Sequence, residues 1–475
     1  MATRVAEIKF GTSGWRAIIS DEFTFANVAL VAEAIARTVL ESGVMNGLVV
    51  GYDTRFQGRE FARRAAQVCA DAGVPVHFAN RDVPTPAVAH QIRALGCAGG
   101  INITASHNPS QYNGIKFSPA YGGPALPEVT TRIEHFVAVI REEGQGSTRA
   151  KTPAPINEFD PRPDYAAKIE QLIDFDAIRA AGLRFAVDPK YGTSRGYLDT
   201  LLGDHGIETH AINSYPDPLF GGKTSEPSGD NLDELRKVVV ERQCALGLAT
   251  DGDGDRFGIL DADGEYLEAN MIIGLAANHL YKHRGRTGNV ARTRATSHFV
   301  DAVCALHGGR GIQTPVGFKY LGSLLENHTV FLGGEESGGL STDDHVPEKD
   351  GIYAGLLMAE AVAVERKSLK QILAGVFRAI GREYHTKRIN VPLDAAKMDK
   401  LVETVKAGVP EALKRLDVAE VDSAEGAKYI LKNGNWLMFR LSGTEPVARC
   451  YIDADSAASL AALESAAREF LRRFA

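Results

Sequence analysis

Short β-branched runs alternate with helical patterns along most of this chain, and that alternation limits its fold more than any other feature. "GLVVGYD" (47–53) precedes the helix-like "GREFARRAAQVCADAG", and "VPVHFAN", "PAVAHQIRALG" and "AGGINITAS" follow in turn. Strand and helix at this spacing predict βαβ units and a parallel sheet. The Gly/Ser/Pro-rich "EEGQGSTRAKTPAP" (142–155) interrupts the pattern and reads as a linker. The alternation resumes with "LRFAVDP", "IETHAIN" and "CALGLATDGDGDRFG", and again with "GNVARTRATS", "GIQTPVGFKYLGSLLEN" and "TVFLGGEESGG". The last ninety or so residues differ: Asn433-Gly434 between two apolar runs signals a hairpin, and a helix with an apolar stripe ends the chain.

The expected fold is therefore three doubly wound α/β domains with mainly parallel sheets, plus a C-terminal α+β domain. Boundaries are placed at 1–150, 151–257, 258–378 and 379–475. A chain of 475 residues is long enough for several domains with separate cores. Ligands of open parallel sheets sit at the carboxyl ends of the strands, where the unusual loops fall, so four loops, one per domain, are candidates for a shared central cleft.

Charge and cysteine usage remove several function classes. With 53 Lys+Arg against 60 Asp+Glu and no dense basic run, nucleic acid is not an expected partner. Five scattered cysteines without a CxxC pair speak against a disulfide framework or a structural zinc site. No apolar h-region opens the sequence, and the most apolar helix carries Glu33 and Arg37, so the expectation is a cytoplasmic protein with no membrane contact.

"DGDGDR" (251–256) directly follows the strand "ALGLAT". Aspartates alternating with glycines can turn Asp251, Asp253 and Asp255 toward one point, a hard-oxygen set that suits Mg²⁺. The alternative is a solvated acidic turn, but three carboxylates crowded at a strand end repel one another without a cation. An EF-hand is excluded, because Arg256 replaces its glycine and Ala262 its bidentate glutamate. Mg²⁺ held by three carboxylates keeps open positions that phosphate oxygens commonly fill. "RLSGTEPVARCY" (440–451) offers an anion site from Arg440, Ser442, Gly443, Thr444 and Arg449, or else an ordinary hairpin exit.

"GGINITAS" delivers Ser106 at a strand end, followed by His107-Asn108-Pro109. Acyl chemistry would require a separate histidine base held by a carboxylate, which an adjacent histidine rarely supplies. Phosphoryl chemistry needs only positioning and charge neutralisation, with Lys116, Arg16 and Arg256 as cations and His107 as a donor or proton carrier. A polar strand-end turn is the remaining alternative. "GTSRG" (192–196) matches a nucleophile elbow, but four residues separate it from its strand and no late histidine completes a triad.

Five motifs in order, "FGTSGWR", "TASHNP", "DGDGDR", "GGEESGG" and "RLSGTEP", resemble the α-D-phosphohexomutase family, which includes phosphoglucomutases, phosphomannomutases and phosphoglucosamine mutases. The resemblance implies four domains around a central cleft and a phosphoserine at Ser106. It also implies Mg²⁺ bound by Asp251, Asp253 and Asp255 together with Ser106. His107 and Lys116 would move protons, with Arg16 and Arg256 steadying the phosphate. Glu335 and Ser337 would hold sugar hydroxyls, Gly317 of "TPVGFK" and Arg294 would border the substrate, and Arg440, Ser442, Gly443, Thr444 and Arg449 would clamp the distal phosphate. Gly339 stands where many bacterial relatives carry histidine, and "DDHVPEKDG" follows in the manner of the phosphoglucomutase subgroup, so His345 and Lys349 are expected to take over that contact. The implied activity is interconversion of hexose 1- and 6-phosphates, most of all of glucose, through a hexose 1,6-bisphosphate, by a monomer or dimer. Mannose or glucosamine phosphates, bisphosphate synthesis and a non-catalytic sugar-phosphate sensor are the alternatives.

Overall fold

The computed structural model describes residues 7–11, 14–43, 46–441 and 447–474, and four sheets organise them. The first has six strands in the order Trp15–Ile18, Tyr112–Pro119, Gly99–Ile103, Leu48–Tyr52, Val76–Ala79 and Ile156–Phe159. Its inner ladders are parallel, and Tyr112–Pro119 runs antiparallel to Gly99–Ile103. The helix Phe25–Ser42 beside it is bounded by local chemistry. The Thr24 side chain accepts from the Asn27 N–H at the start, and Gly43 takes the left-handed conformation at the end.

The second sheet orders Tyr266–Leu267, Phe257–Asp261, Leu246–Thr250, Arg184–Asp188 and Glu208–Ala211. The third orders Gly311–Thr314, Val290–Thr293, Leu332–Glu335 and Gly339–Thr342. In both, parallel ladders are followed by an antiparallel return strand. The fourth sheet, His385–Pro392, Val447–Ala454, Trp436–Leu441, Ala427–Leu431 and Val418–Asp422, is antiparallel throughout. Its expected hairpin turns at Asn433-Gly434, with Gly434 at φ 82°.

The expected α/β class holds, with sheets more mixed than the mainly parallel expectation, and the sheets divide the chain differently from the expected boundaries. Strand Ile156–Phe159 lies past residue 150 yet pairs in the first sheet. The stretch expected as a linker is strapped to that domain. Buried Glu33 accepts hydrogen bonds from the Gly146 and Thr148 N–H groups, and Ala150 and Ala154 donate to Asp71 and Ala70 carbonyls. Residue 257 opens the return strand of the second sheet, so that sheet continues to Leu267.

The second and third domains share one core. Helix Gly351–Glu365, buried almost all round, packs on strands of both sheets and on helix Phe175–Ala181. Asp350 starts it by accepting from the Ile352 and Tyr353 N–H groups. The first domain packs a core of its own on one side of its sheet, while Val49, Val88 and Ile92 on the other join the shared core, and the fourth domain keeps a separate one.

Candidate active site

In each α/β domain the motif loop is the same structural event: a strand with parallel neighbours ends, the chain turns, and an antiparallel strand returns beside it. Residues 104–111 join Gly99–Ile103 to Tyr112–Pro119, residues 251–256 join Leu246–Thr250 to Phe257–Asp261, and residues 336–338 join Leu332–Glu335 to Gly339–Thr342. The three turns meet in one cleft, lined among others by Arg16, Ser106, Lys116, Asp255, Glu335 and Arg440.

Ser106 has φ 53°, a left-handed conformation that a non-glycine residue holds only when its surroundings fix it. Its N–H donates to Thr104 Oγ1 at 2.9 Å, and Thr104 Oγ1 donates to Asp53 at 2.6 Å. Buried Arg55, paired with Asp53 at 3.1 Å, donates to the carbonyls of Ser106, Asn108, Pro109 and Tyr112. One guanidinium thus shapes the whole Ser106 turn. Its place in "YDTRF" carries no sign of this, because the contacts span more than fifty residues.

The Ser106 hydroxyl donates to Asp251 Oδ2 at 2.8 Å, and its Oγ lies 3.4 Å from His107 Nδ1. Burial, then Arg256 and Arg16, push the His107 imidazole well below its ordinary pKa, so the ring is neutral.

Asp251, Asp253 and Asp255 are buried, and ligand oxygens of all three lie within 4.8 Å of one another. Lys116 donates to Asp253 Oδ2 at 2.6 Å and to Asp255 Oδ2 at 2.9 Å, while Thr85 donates to Asp253 Oδ2 at 2.6 Å. The Oδ1 atoms of Asp253 and Asp255 are buried with no hydrogen-bond partner. Buried carboxylate oxygens left without donors are costly, and an oxygen-seeking divalent cation satisfies them, so the residues present fit Mg²⁺. Burial and the two neighbouring carboxylates drive the Asp251 carboxyl well above its ordinary pKa. Asp255 is burdened by burial but pulled well below by Lys116 and Lys349. These aspartates in return hold Lys116, despite its burial, protonated at well above the ordinary value.

On the third domain's side, Glu335 accepts from the Ser337 hydroxyl at 2.6 Å, and Gly317 opens the helix Phe318–Glu326 at φ 125°. Lys349 Nζ reaches Asp255 Oδ2 at 3.3 Å and Glu335 Oε1 at 3.8 Å. A Cβ at Gly339 would stand 2.2 Å from the Lys349 Cδ, so the lysine stem fills the space a larger residue there would need. Glu348 also lines the cleft; burial outweighs Lys349 and Lys116 and pushes its carboxyl up to about 7. Sequence reasoning passed over Glu348, although its place beside Lys349 in "PEKDG" was a usable signal.

On the fourth side, Arg440 and Arg449 are direct cross-strand partners on adjacent antiparallel strands, and both line the cleft. The pair offers two guanidinium groups to one anion. Ser442, Gly443 and Thr444 lie outside the described residues. Arg16 donates to Asn108 Oδ1 at 2.9 Å beside the Ser106 turn.

Two expected contacts are corrected. His345 is buried away from the cleft, its Nε2 2.7 Å from Asp350, which also accepts from the Tyr165 hydroxyl at 2.6 Å. This histidine braces the start of helix Gly351–Glu365. Arg294 pairs with Asp422 at 2.7 Å, joining the third domain to the fourth. Ser194 of "GTSRG" is buried and shares a hydrogen bond with the Thr250 hydroxyl, away from any histidine pairing. A surface hollow of about 880 Å³, lined in part by Lys282, His307 and Arg378, gathers none of the groups above.

Comparison with known proteins bears on this arrangement. Residues 7–143, 163–264 and 268–380 match the phosphoglucomutase/phosphomannomutase alpha/beta/alpha domains I, II and III, and residues 389–470 match the C-terminal domain. A phosphoglucomutase of Komagataeibacter xylinus is 29% identical over 98% of this chain and 91% of its own length. A protein of Pyrococcus abyssi with a provisional phosphoglucosamine mutase name is 30% identical, covering 94% of this chain and 93% of its own. A crystal structure from Thermus thermophilus, provisionally named a phosphomannomutase, superposes with a TM-score of 0.85 at 31% identity, covering 99% of this chain and all of its own. The four ordered domains, the shared cleft and these likenesses place the chain in the phosphoglucomutase/phosphomannomutase family of α-D-phosphohexomutases, enzymes that move a phosphoryl group within a sugar phosphate.

Proposed function

We propose that this enzyme interconverts the 1- and 6-phosphates of a hexose, glucose in preference, using Ser106 as phosphoryl carrier and a hexose 1,6-bisphosphate as intermediate. The observation that carries the reading is the Ser106 hydroxyl standing 2.8 Å from Asp251 in the cleft that the Arg440–Arg449 pair also lines. A nucleophilic oxygen stands beside a carboxylate cluster that fits a divalent cation, and two arginines line the same cleft.

The balance of the reaction is simple. The P–O bond to Ser106 Oγ breaks as a bond forms to the free sugar hydroxyl, whose proton leaves. The bisphosphate then presents its other phosphate, which returns to Ser106 Oγ, and the newly freed sugar oxygen regains a proton. Asp251, Asp253 and Asp255, with Ser106 beside them, would hold Mg²⁺, which would supply positive charge to the phosphoryl transfer. Lys116, Arg16 and Arg256 add to that charge. His107 is neutral in the empty cleft and becomes a better base as the phosphates bring negative charge beside it, while Lys116, held protonated by Asp253 and Asp255, serves as a hydrogen-bond donor. Glu335 and Ser337 read sugar hydroxyls, Gly317 lets the chain approach the sugar, and Lys349 spans the sugar and metal sides. Arg440 and Arg449, with Ser442, Gly443 and Thr444, grip whichever phosphate is not reacting.

The paired glutamates of "GGEESGG" and the name of the Komagataeibacter relative favour glucose. Steady-state assays with glucose 1-phosphate, mannose 1-phosphate and glucosamine 1-phosphate, with and without added hexose 1,6-bisphosphate, test the reading. The highest kcat/KM is expected for glucose 1-phosphate. A tenfold preference for another sugar would replace it, and net bisphosphate accumulation exceeding isomerisation would make the enzyme a bisphosphate synthase.

A further inference from the structure

Glu226 occupies an unusual position between three parts of the molecule. Its Oε1 is 3.5 Å from Arg256 Nη1, in the metal loop, and 3.2 Å from Arg388 Nη2, on the first strand of the C-terminal sheet. The chain around it is fixed to the Ser106 turn. The Ser225 hydroxyl donates to the Ser106 carbonyl at 3.4 Å, and the Thr224 hydroxyl to the His107 carbonyl at 3.5 Å. The Pro227 carbonyl would lie 2.0 Å from a Cβ at Gly258, so this segment is also pressed against the return strand of the metal loop. Burial works against ionisation of Glu226, yet Arg256 and Arg388 together hold its carboxyl below the ordinary pKa.

Among the described residues, several pairs anchor the C-terminal domain to the third domain. Arg294 pairs with Asp422, the Val316 N–H donates to Glu425, and Asp453 accepts from the Ser297 hydroxyl and the His298 N–H. Lys428 donates to the Arg294 carbonyl and lies over the Trp436 ring. These contacts hold one edge of the C-terminal domain. The Glu226–Arg388 pair joins the fourth domain to the second, off that edge, where a restraint has leverage. Arg388 shares its strand with Asn390, the cross-strand partner of Arg449, so movement of Arg388 moves the arginine pair.

We propose that Glu226 is a positioning residue whose carboxylate ties the C-terminal domain, through Arg388, to the metal loop, through Arg256, and so sets where Arg440 and Arg449 stand relative to Ser106. It touches no reacting atom. Its effect belongs to the reach between the two phosphate sites, the span that a sugar bisphosphate must bridge in both orientations, and to that extent it rests on the proposed function.

The test uses a distance and a kinetic split. All five native cysteines are buried, so spin labels at Lys237→Cys and Lys432→Cys, both strongly exposed, report the separation of the second and fourth domains. In the Mg²⁺-loaded, substrate-free protein, Glu226→Gln and Arg388→Gln are each expected to broaden the distance distribution, and the double variant to broaden it no further. Glu226→Asp, which keeps the charge, should recover part of the narrow distribution. With hexose 1-phosphate, Glu226→Gln is expected to raise KM by about three- to tenfold and to release more bisphosphate per turnover, with Ser106 phosphorylated as in the wild type. The double variant should match the single ones, since partners in one interaction are not additive. An unchanged distribution in Glu226→Gln, or additive losses in the double variant, would overturn the tether. The distance arm needs no substrate and decides the tether by itself, whereas a wild-type enzyme inactive on hexose phosphates would sink the proposed function alone.

Discussion

Ser106 Oγ and Asp251 Oδ2 are hydrogen-bonded at 2.8 Å although 145 residues and a domain boundary separate them. A serine hydroxyl is a weak nucleophile and a poor phosphoryl carrier unless its charge changes are met locally, and this contact places it against the carboxylate cluster that fits a divalent cation. The Ser106 turn is preformed by Arg55, so removing the hydroxyl alone should leave the backbone in place.

Ser106→Ala is therefore expected to fold as the wild type does and to lose nearly all turnover, on the order of a thousandfold or more. Intact-mass measurement should show a fraction of wild type heavier by one phosphoryl group and no such fraction in the variant. A variant that turns over at the wild-type rate would remove Ser106 from the chemistry.

Asp253 accepts from Lys116 and Thr85 through one oxygen and leaves the other without a donor. Asp253→Asn keeps the size and discards the charge, so Lys116 loses a partner and the cation a ligand. Titration calorimetry should show weakened Mg²⁺ binding, and turnover should fall by about a hundredfold or more, a loss of at least about 2.7 kcal/mol of charge stabilisation. If protein stripped with EDTA works at an undiminished rate, the three aspartates have some other role.

The parts of this site that a reader of the sequence could see are those written locally. "GGINITAS" and "ALGLAT" are apolar runs that end abruptly in polar turns, and the strands stop where the runs do. What could not be seen depends on direction or on distant partners. His345 and Lys349 lie four residues apart in one loop, yet one points to Asp350 beneath the helix and the other into the cleft. Gly/Ser-rich composition at 144–148 suits a free linker as well as a strap, and buried Glu33 on a helix more than a hundred residues earlier decides between them. The domain boundary at 257 failed for a related reason. A motif loop looks like the end of a unit, whereas here each such loop is the middle of a hairpin.

Glu348 gives the cleft a titration near neutrality. Its folded pKa, about 7, stands above the ordinary 4.5, so the folded state holds a proton that the unfolded state releases. Its contribution to stability is complete below pH 4.5 and is lost as pH rises through 7. A rise from 4.5 to about 7 is worth about 3 kcal/mol. Glu348→Gln, permanently neutral, should therefore be more stable than the metal-free wild type at pH 8 by up to that amount, with the difference vanishing toward pH 4.5. Urea unfolding at both pH values checks it, and a difference that grows toward acid would mean that Glu348 is held ionised by Lys116 and Lys349.

Arg440 and Arg449 are cross-strand partners on adjacent strands and line the same cleft, which offers two guanidinium groups to one phosphate. A charge-assisted contact of this kind is worth roughly 1.5–3 kcal/mol, so Arg440→Ala should lower kcat/KM by roughly ten- to a few hundredfold. Ser106 lies on another domain and should still become phosphorylated, which separates loss of grip from loss of chemistry. Because the intermediate has to present each of its phosphates in turn, a weakened grip should also let more hexose 1,6-bisphosphate escape for each product formed. Arg440→Lys keeps the charge without the planar fork and should fall between wild type and alanine. The two quantities to compare are bisphosphate released and product formed: if their ratio and kcat/KM both stay at wild-type values in Arg440→Ala, the arginine pair does not hold the distal phosphate, and the fourth side of the cleft lies elsewhere.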